Sequence, residues 1–293
     1  NFNIGGSPFD IFGNPIAFNV GYEHRMESAS FTPDAFAQAG RGRSVAIGPN
    51  KGRYNLNEFF GELMVPLITP SNDIFINKLE GYGRVRHVDN TVNGSFLSWS
   101  AGGAMAVIPD IEVRGNYTKS FRPPAITELF SPVTNTFVTV PDLCSVANRN
   151  AGPVPTIRSA NCAAFLTAFP TATPLAASLA TVPGRSGGNP DLGNEEAKSY
   201  TLGAIVRPRF IPGLSIAVDY LNIHITNPIA SLTVAQIAGG CFDNEQFDTS
   251  DPANGNAFCS LIRSDSTGQV PADPLNPAVT SGFVNGNEIK FSG

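Results

Sequence analysis

NYTKSFRPPAITELF, residues 116–130, opens as a strand and stops abruptly. Tyr117 and Phe121 lead into Arg122 and then into Pro123 and Pro124, which have no N–H to give a sheet. Roughly seventy residues pass before regular alternation resumes. Structureless stretches of that length are uncommon inside a compact soluble domain. The architecture must therefore be one that accommodates long loops at a strand end.

Period-two alternation is the strongest signal elsewhere. In IAFNVGYEH, Ile16, Phe18, Val20 and Tyr22 share one face, and Ala17, Asn19, Gly21 and Glu23 the other. DIEVRGNYT (110–118), SYTLGAIVR (199–207) and LSIAVDY (214–220) alternate in the same way. Beyond Tyr220 the phase blurs, and a bulge is expected there. Counting such segments predicts about eight strands, at 14–24, 54–67, 74–87, 96–108, 110–120, 197–207, 213–226 and a stub from about 283. Most reach ten residues, the length a tilted strand needs to cross a bilayer.

The connections sort by length. LITPSND, VIPD and RPRFIPG are short and Pro-rich, and they alternate with 25–53, 88–95, 121–196 and 227–282, three of which are long. Short turns at one end and long loops at the other characterise an outer-membrane barrel. Tyr22, Phe59, Trp99, Tyr117, Phe121, Tyr200 and Tyr220 fall near the long-loop ends of their strands, where an interfacial girdle belongs. The expected fold is all-β: a partial antiparallel up-and-down transmembrane β-barrel, about eight strands of a larger one, with long extracellular loops.

Composition narrows the function. Charged residues make up 15% and the net charge is −5, which gives no electrostatic basis for binding nucleic acid. No run of residues is long and apolar enough for a membrane helix. Cys144 and Cys162 are 18 positions apart, as are Cys241 and Cys259, each pair in a Pro/Asn/Gly-rich region with no CxxC and no nearby His. Two local disulfides, Cys144–Cys162 and Cys241–Cys259, are a better reading than a zinc site or four free thiols. Both imply an oxidising compartment. TVAQIAGG, from Thr233, is expected to form a short helix capped by Thr233.

Five segments in order resemble TonB-dependent outer-membrane receptors of Gram-negative bacteria. They are GYEHRMES, NEFFGELMVPL, NYTKSFRPPAITELF with its Glu128-Leu129 pair, NPDLGNEEAKSYTLG, and PRFIPGLSIAVDYLNIHI. The resemblance runs from about Ser7 to Ser292, with Pro123 and Asn194 standing where the family more often has Ala and Pro. It implies a 22-stranded barrel around a plug, so residues 1–293 are expected to be a single partial barrel domain, truncated at both ends.

The implied activity is uptake of a scarce extracellular small ligand, such as a ferric siderophore, cobalamin or an oligosaccharide, powered through TonB. The expected partners are outer-membrane lipid, the plug of the same full-length chain, and TonB through an N-terminal region outside this sequence. No cofactor and no metal site are expected. Glu62, Arg84, Arg86, Glu112, Arg114 and Lys198 are expected to face the lumen. Phe121, Phe137, Phe165, Phe242 and Phe247 are loop candidates for ligand contact.

Catalysis finds little support. GRSGG (184–188) matches G-x-S-x-G, but Pro183 before it and NPDL after it are turn-like, whereas a nucleophile elbow needs a strand and then a helix. His24, His87 and His224 are isolated in sequence. Two other readings remain: a passive porin, and a glycan-binding β-sandwich whose apolar faces would meet in a dry core.

Overall fold

The computed structural model describes residues 1–41, 45–72, 75–172, 179–262, 279–286 and 288–292. In chain order the first strands are β1 (Phe2–Ile11), β2 (Asn14–Phe31), β3 (Asn50–Ile68), β4 (Lys78–Asn90), β5 (Gly94–Ile108) and β6 (Ile111–Arg122). After them come β7 (Thr134–Pro141), β8 (Leu179–Gly187), β9 (Glu195–Val206) and β10 (Ile216–Thr226). The last three are β11 (Ile229–Leu232), β12 (Val279–Asn285) and β13 (Glu288–Ser292). Four short helices join them: α1 (Ala35–Gln38), α2 (Ile126–Phe130), α3 (Pro155–Ala168) and α4 (Val234–Phe242).

Nine strands form one sheet in the order β1-β2-β3-β4-β5-β6-β9-β10-β13, each antiparallel to its neighbour. This is an up-and-down meander, a partial barrel wall interrupted where β7 and β8, and then β11 and β12, leave it. β6 ends at Arg122, immediately before the two prolines, and Pro124 is fully buried. At one end only the 91–93 turn is short, whereas at the other every connection is. The first is a two-residue turn in which Phe12 and Gly13 both have positive φ, the geometry that matches strand twist. It is tied to the next turn by Asn14, whose amide donates to Asn72 at 2.9 Å while its oxygen accepts from Thr69 at 2.8 Å.

Strand pairing fixes the faces. Asn19, Glu62, Arg84, Ser100, Thr118 and Ser199 stand in one register row on a polar face. Val20, Leu63, Val85, Trp99, Val113, Tyr117, Leu202, Val218 and Tyr220 lie on the other face, and all are exposed. Nothing among the described residues covers that apolar face. The core expected of a sandwich is therefore not formed here, and an exposed apolar band is what a bilayer-facing wall requires. Tyr22–Phe59, Trp99–Tyr117 and Tyr200–Tyr220 make ring contacts with centroids 4.8, 5.4 and 6.0 Å apart, forming a belt near the long-loop end. We take the strand portions between this belt and the short turns as the membrane-spanning part.

At the long-loop end the polar face turns apolar. Tyr54, Leu56 and Val88 are buried there against Leu129 and Leu192, with Ile126, Phe130 and Ile229 packed around them. Phe130 lies flat on Gly52, where an added Cβ would meet the ring at 2.3 Å, so only glycine admits this approach. The long segments after β6 and β10 are not structureless. They build one cap, with a four-stranded sheet ordered β11-β12-β8-β7 and with α3 and α4 beside it.

The expected boundaries need several corrections. The strand set at 74–87 runs from Lys78 to Asn90, and Ile74 lies outside the described residues, as do 42–44, 173–178 and 263–278 of the predicted loops. β1 escaped notice because Gly5, Gly6 and Pro8 break its alternation, and the register shift between Gly6 and Phe9 absorbs them. No bulge follows Tyr220, since β9 and β10 pair without a break from Ile216 to Thr226. The phase blurs there because Asn222, His224 and Thr226 continue the apolar side beyond the aromatic belt, where polar residues meet water.

Candidate functional site

The polar face holds an open cleft of about 600 Å³ in the membrane-spanning region, lined by Asn19, Glu62, Tyr82, Arg84, Asn116 and Thr118 among others. Alternation alone brings these side chains from five strands to one surface. Ion pairs run across it: Arg84 with Glu62 at 3.7 Å, Lys78 with Glu80 at 2.9 Å, and Lys78 with Glu112 at 3.7 Å. Closer to the cap, Glu58 is buried and binds Arg86 at 2.6 Å and Arg25 at 3.6 Å. Arg114 grips both oxygens of Asp219, at 3.0 and 2.7 Å. The buried Asn116 Oδ1 has no hydrogen-bond partner. A surface of fixed, mostly paired charges with polar amides and hydroxyls between them suits a polar solute or a second polar protein surface rather than lipid.

Above the cleft, the two most distinctive sequence segments meet. The Arg122 guanidinium at the end of β6 donates to Glu195 at the start of β9 and to Glu128 of α2, the latter at 3.0 Å. Glu128 also accepts the Ala125 N–H at 2.7 Å and so caps α2. Glu195 accepts the Ile229 N–H at 2.6 Å, which ties β9 to the start of β11. The hydrogen bond from Arg122, aided by the one from Ile229, holds the Glu195 carboxyl below its ordinary pKa against the opposing effect of burial, and Arg122 is raised in turn. Asn189 N–H donates to the Glu128 carbonyl at 2.8 Å, and Asn93 donates to the Leu192 carbonyl at 2.6 Å. One knot of polar bonds thus roots the cap on the wall. Beside it, burial and the Glu27 carboxylate push the Tyr54 phenol up to about 12.

The cap has its own fastening. Cys144–Cys162 and Cys241–Cys259 are both disulfide-bonded, with Cα atoms 5.3 and 4.7 Å apart. The two loops dock through the buried Arg158, which binds Asp243 through two nitrogens and the Asn148 carbonyl at 3.0 Å. Asn161 donates to the carbonyls of Phe242 and Asn244, each at 3.0 Å. α4 starts at Val234 with Thr233 as its cap, as expected.

The register sorts the expected site residues. Glu62, Arg84, Arg86, Glu112 and Arg114 share the polar face. Lys198 does not, because it pairs with Lys119 and His224 in phase with Tyr200 and Leu202, on the opposite side. Among the loop aromatics, Phe247 is only 6% exposed and packs on Cys241 and Cys259, so it serves the cap's core and offers a ligand no face. Phe165 and Phe242 join it in a ring cluster, with centroids 5.7 and 5.9 Å apart. Phe121 packs on Phe96 at 5.3 Å, while Phe137 on β7 is exposed.

Glu58, Asp219, Glu128 and Glu195 were not foreseen as site residues. The first two become visible only once pairing is known, whereas Glu128 and Glu195 stood within the quoted segments without a partner to mark them. Ser186 lies within β8 opposite Thr134, followed by the 189–192 turn, so the strand-to-helix turn of a nucleophile elbow is not formed at this serine.

A comparison with curated proteins finds no match. Among solved structures, the fold resembles the ferric enterobactin receptor PfeA (Q482A mutant) from Pseudomonas aeruginosa, in complex with enterobactin. That likeness has a TM-score of 0.57 and 14% identity, over 99% of this chain and 31% of that one. The siderophore receptor PirA from Acinetobacter baumannii aligns with a TM-score of 0.54 and 14% identity, over 99% of this chain and 32% of that one. The chain therefore spans about a third of the length of these receptors. The family model for the TonB-dependent receptor-like β-barrel matches residues 1–257. The exposed apolar face, the meander with its loops sorted by length and this match agree: the chain belongs to the TonB-dependent receptor-like β-barrel family.

Proposed function

We propose that this chain is part of the wall and extracellular cap of an outer-membrane receptor that imports a scarce small ligand with energy delivered through TonB. The observation that carries the reading is the contrast between the two faces. The apolar face is bare, while the polar face bears the cleft and is roofed at one end by a cap built from two loops. In a closed barrel the polar face would enclose the plug and the solute's route, and the cap would stand over the mouth. Family membership supports the receptor-transporter class and the outer-membrane location.

A ferric siderophore is the favoured ligand class, because PfeA and PirA are described as siderophore receptors and share the fold. The test uses the full-length protein in a strain lacking its own siderophore receptors. Uptake of labelled ferric siderophore that disappears when TonB is removed is the expected result. Uptake that persists without TonB would favour a passive porin and overturn the proposal.

A further inference from the structure

The cap has a cavity of its own. It measures about 240 Å³, lies between the cap sheet and α4, and shares no lining residue with the cleft of the wall. Leu232, Ile237, Leu261 and Val284 supply aliphatic walls from β11, α4, the turn at 259–261 and β12. Leu232 and Gly187 both line it, and Gly282 stands between them in the same row of the sheet. Two adjacent strands therefore put no side chain into the space. Glycine inside a strand weakens it, and it often marks a place that another group approaches closely. The void is braced against collapse by the Cys241–Cys259 disulfide. Cys241 follows Ile237 by one helical turn, and Cys259 precedes Leu261 by two residues, so the bridge fixes two of the walls.

Exposure is graded along the cavity, and the grading identifies the occupant. Ile237 is fully buried, whereas Val133, Arg185 and Ser186 are exposed and form the rim. An apolar interior behind a polar rim suits a molecule with a hydrocarbon part and a polar head. Sites for whole drug-sized ligands start at about 300 Å³, while an apolar cavity of ~150 Å³ already admits benzene. The cavity therefore takes one group of a larger molecule. A hydroxylated ring is disfavoured, because the four aliphatic walls offer its hydroxyls no partner and burying an unpaired hydroxyl is costly. An aliphatic chain has no such requirement.

We infer that the cavity holds the acyl tail of an amphiphilic solute, an acylated siderophore whose metal-binding head stays outside the rim; for the solute's identity this rests on the receptor reading above. The tail enters past Val133 and ends against Ile237.

The test uses the full-length receptor in nanodiscs, with ω-fluorinated octanoate as the probe, followed by fluorine NMR against empty nanodiscs. Saturable binding is expected, and for unlabelled competitors it should strengthen roughly fourfold per methylene from butanoate upward, then level off once the cavity is full. Ile237→Phe, which fills the buried end, should weaken octanoate binding roughly tenfold. Val218→Ala, on the lipid-facing side of the wall, should leave it unchanged. The chain-length series needs no variant, so it decides the matter even where Ile237→Phe unfolds the cap. A ferric trihydroxamate carrying an octanoyl group should displace the probe, and the same complex carrying an acetyl group should not.

Partitioning that rises with chain length without levelling off, equally in empty nanodiscs, would overturn the tail site and leave the receptor reading intact. Displacement by octanoate but not by the octanoylated complex would overturn the acylated siderophore as the occupant. A receptor that binds both yet takes up no ferric siderophore through TonB would instead overturn the receptor reading and keep the tail site.

Discussion

Arg114 and Asp219 clasp each other across a strand that separates them. They lie on β6 and β10, and the residue between them in the row, Gly203 of β9, has no side chain to block the bridge. A Cβ built on Gly203 would sit 2.0 Å from Asp219 Oδ1 and 3.0 Å from Arg114 Nε. Gly203→Ala should therefore destabilise the wall by about 1–3 kcal/mol through overpacking. Thermal unfolding in detergent checks this, and a double-mutant cycle adds a sharper outcome. With Asp219→Ala already present, Gly203→Ala should cost much less, because the carboxylate it strikes is gone.

The root knot predicts a direction with pH. Glu195 is held below its ordinary pKa by Arg122 and by the Ile229 N–H. Its contribution is therefore fully present above the pKa of an unfolded glutamate and fades as pH falls through its lowered folded value. Cap protection, followed by hydrogen exchange or limited proteolysis, should survive acidification into the ordinary carboxylate range and fail below it. In Glu195→Gln the cap should be looser at neutral pH and lose that acid-dependent step. The charge-assisted bonds are worth about 1–2 kcal/mol, toward the low side because Arg122 stays half exposed and screened.

Reduction should separate the cap from the wall. Each disulfide contributes about 2–4 kcal/mol to the segment it closes, and both lie wholly within the cap. A thiol reductant should make residues 134–172 and 229–262 sensitive to protease while the nine-stranded sheet stays resistant. Loss of the whole barrel at the same reductant concentration would contradict the independence of the two units.

The faces can be tested by charge. Leu63 is 47% exposed on the apolar face, near the middle of the spanning part of β3. Leu63→Arg should cost about 2–4 kcal/mol in a bilayer, as a lysine or arginine does at the lipid midplane. Ser100→Arg, on the polar face beside the cleft, should cost little. Denaturant unfolding from lipid vesicles compares the two variants.

The alternating strands were legible from residues alone because lipid on one side and water on the other impose a two-residue period. Val113, Tyr117, Leu202 and Val218 carried that signal clearly. β1 did not, since Gly5, Gly6 and Pro8 interrupt its period. The cap was legible only at its disulfides and at α4. The helix over 155–168 has little apolar bias on any one face, and α2 is fixed by contacts with Gly52 and Leu192 from distant strands and loops. The candidate site was half legible. Composition named its arginines and glutamates, but partners such as Glu58 and Asp219 depend on register, and register is a property of pairs of strands. Lys198 stands outward, in phase with Tyr200, at a strand end where that face has already left the hydrocarbon, so its charge did not reveal its side.

The Arg158–Asp243 junction also bears on how such a protein can change over generations. It joins two disulfide-closed loops through residues 85 positions apart, and it is fully paired only while both loops keep their present length and shape. An insertion or deletion in either loop would strand a buried guanidinium or its carboxylate. Drift in one loop therefore has to be matched by drift in the other, and the pair should be inherited, exchanged or grafted onto a new barrel as a unit.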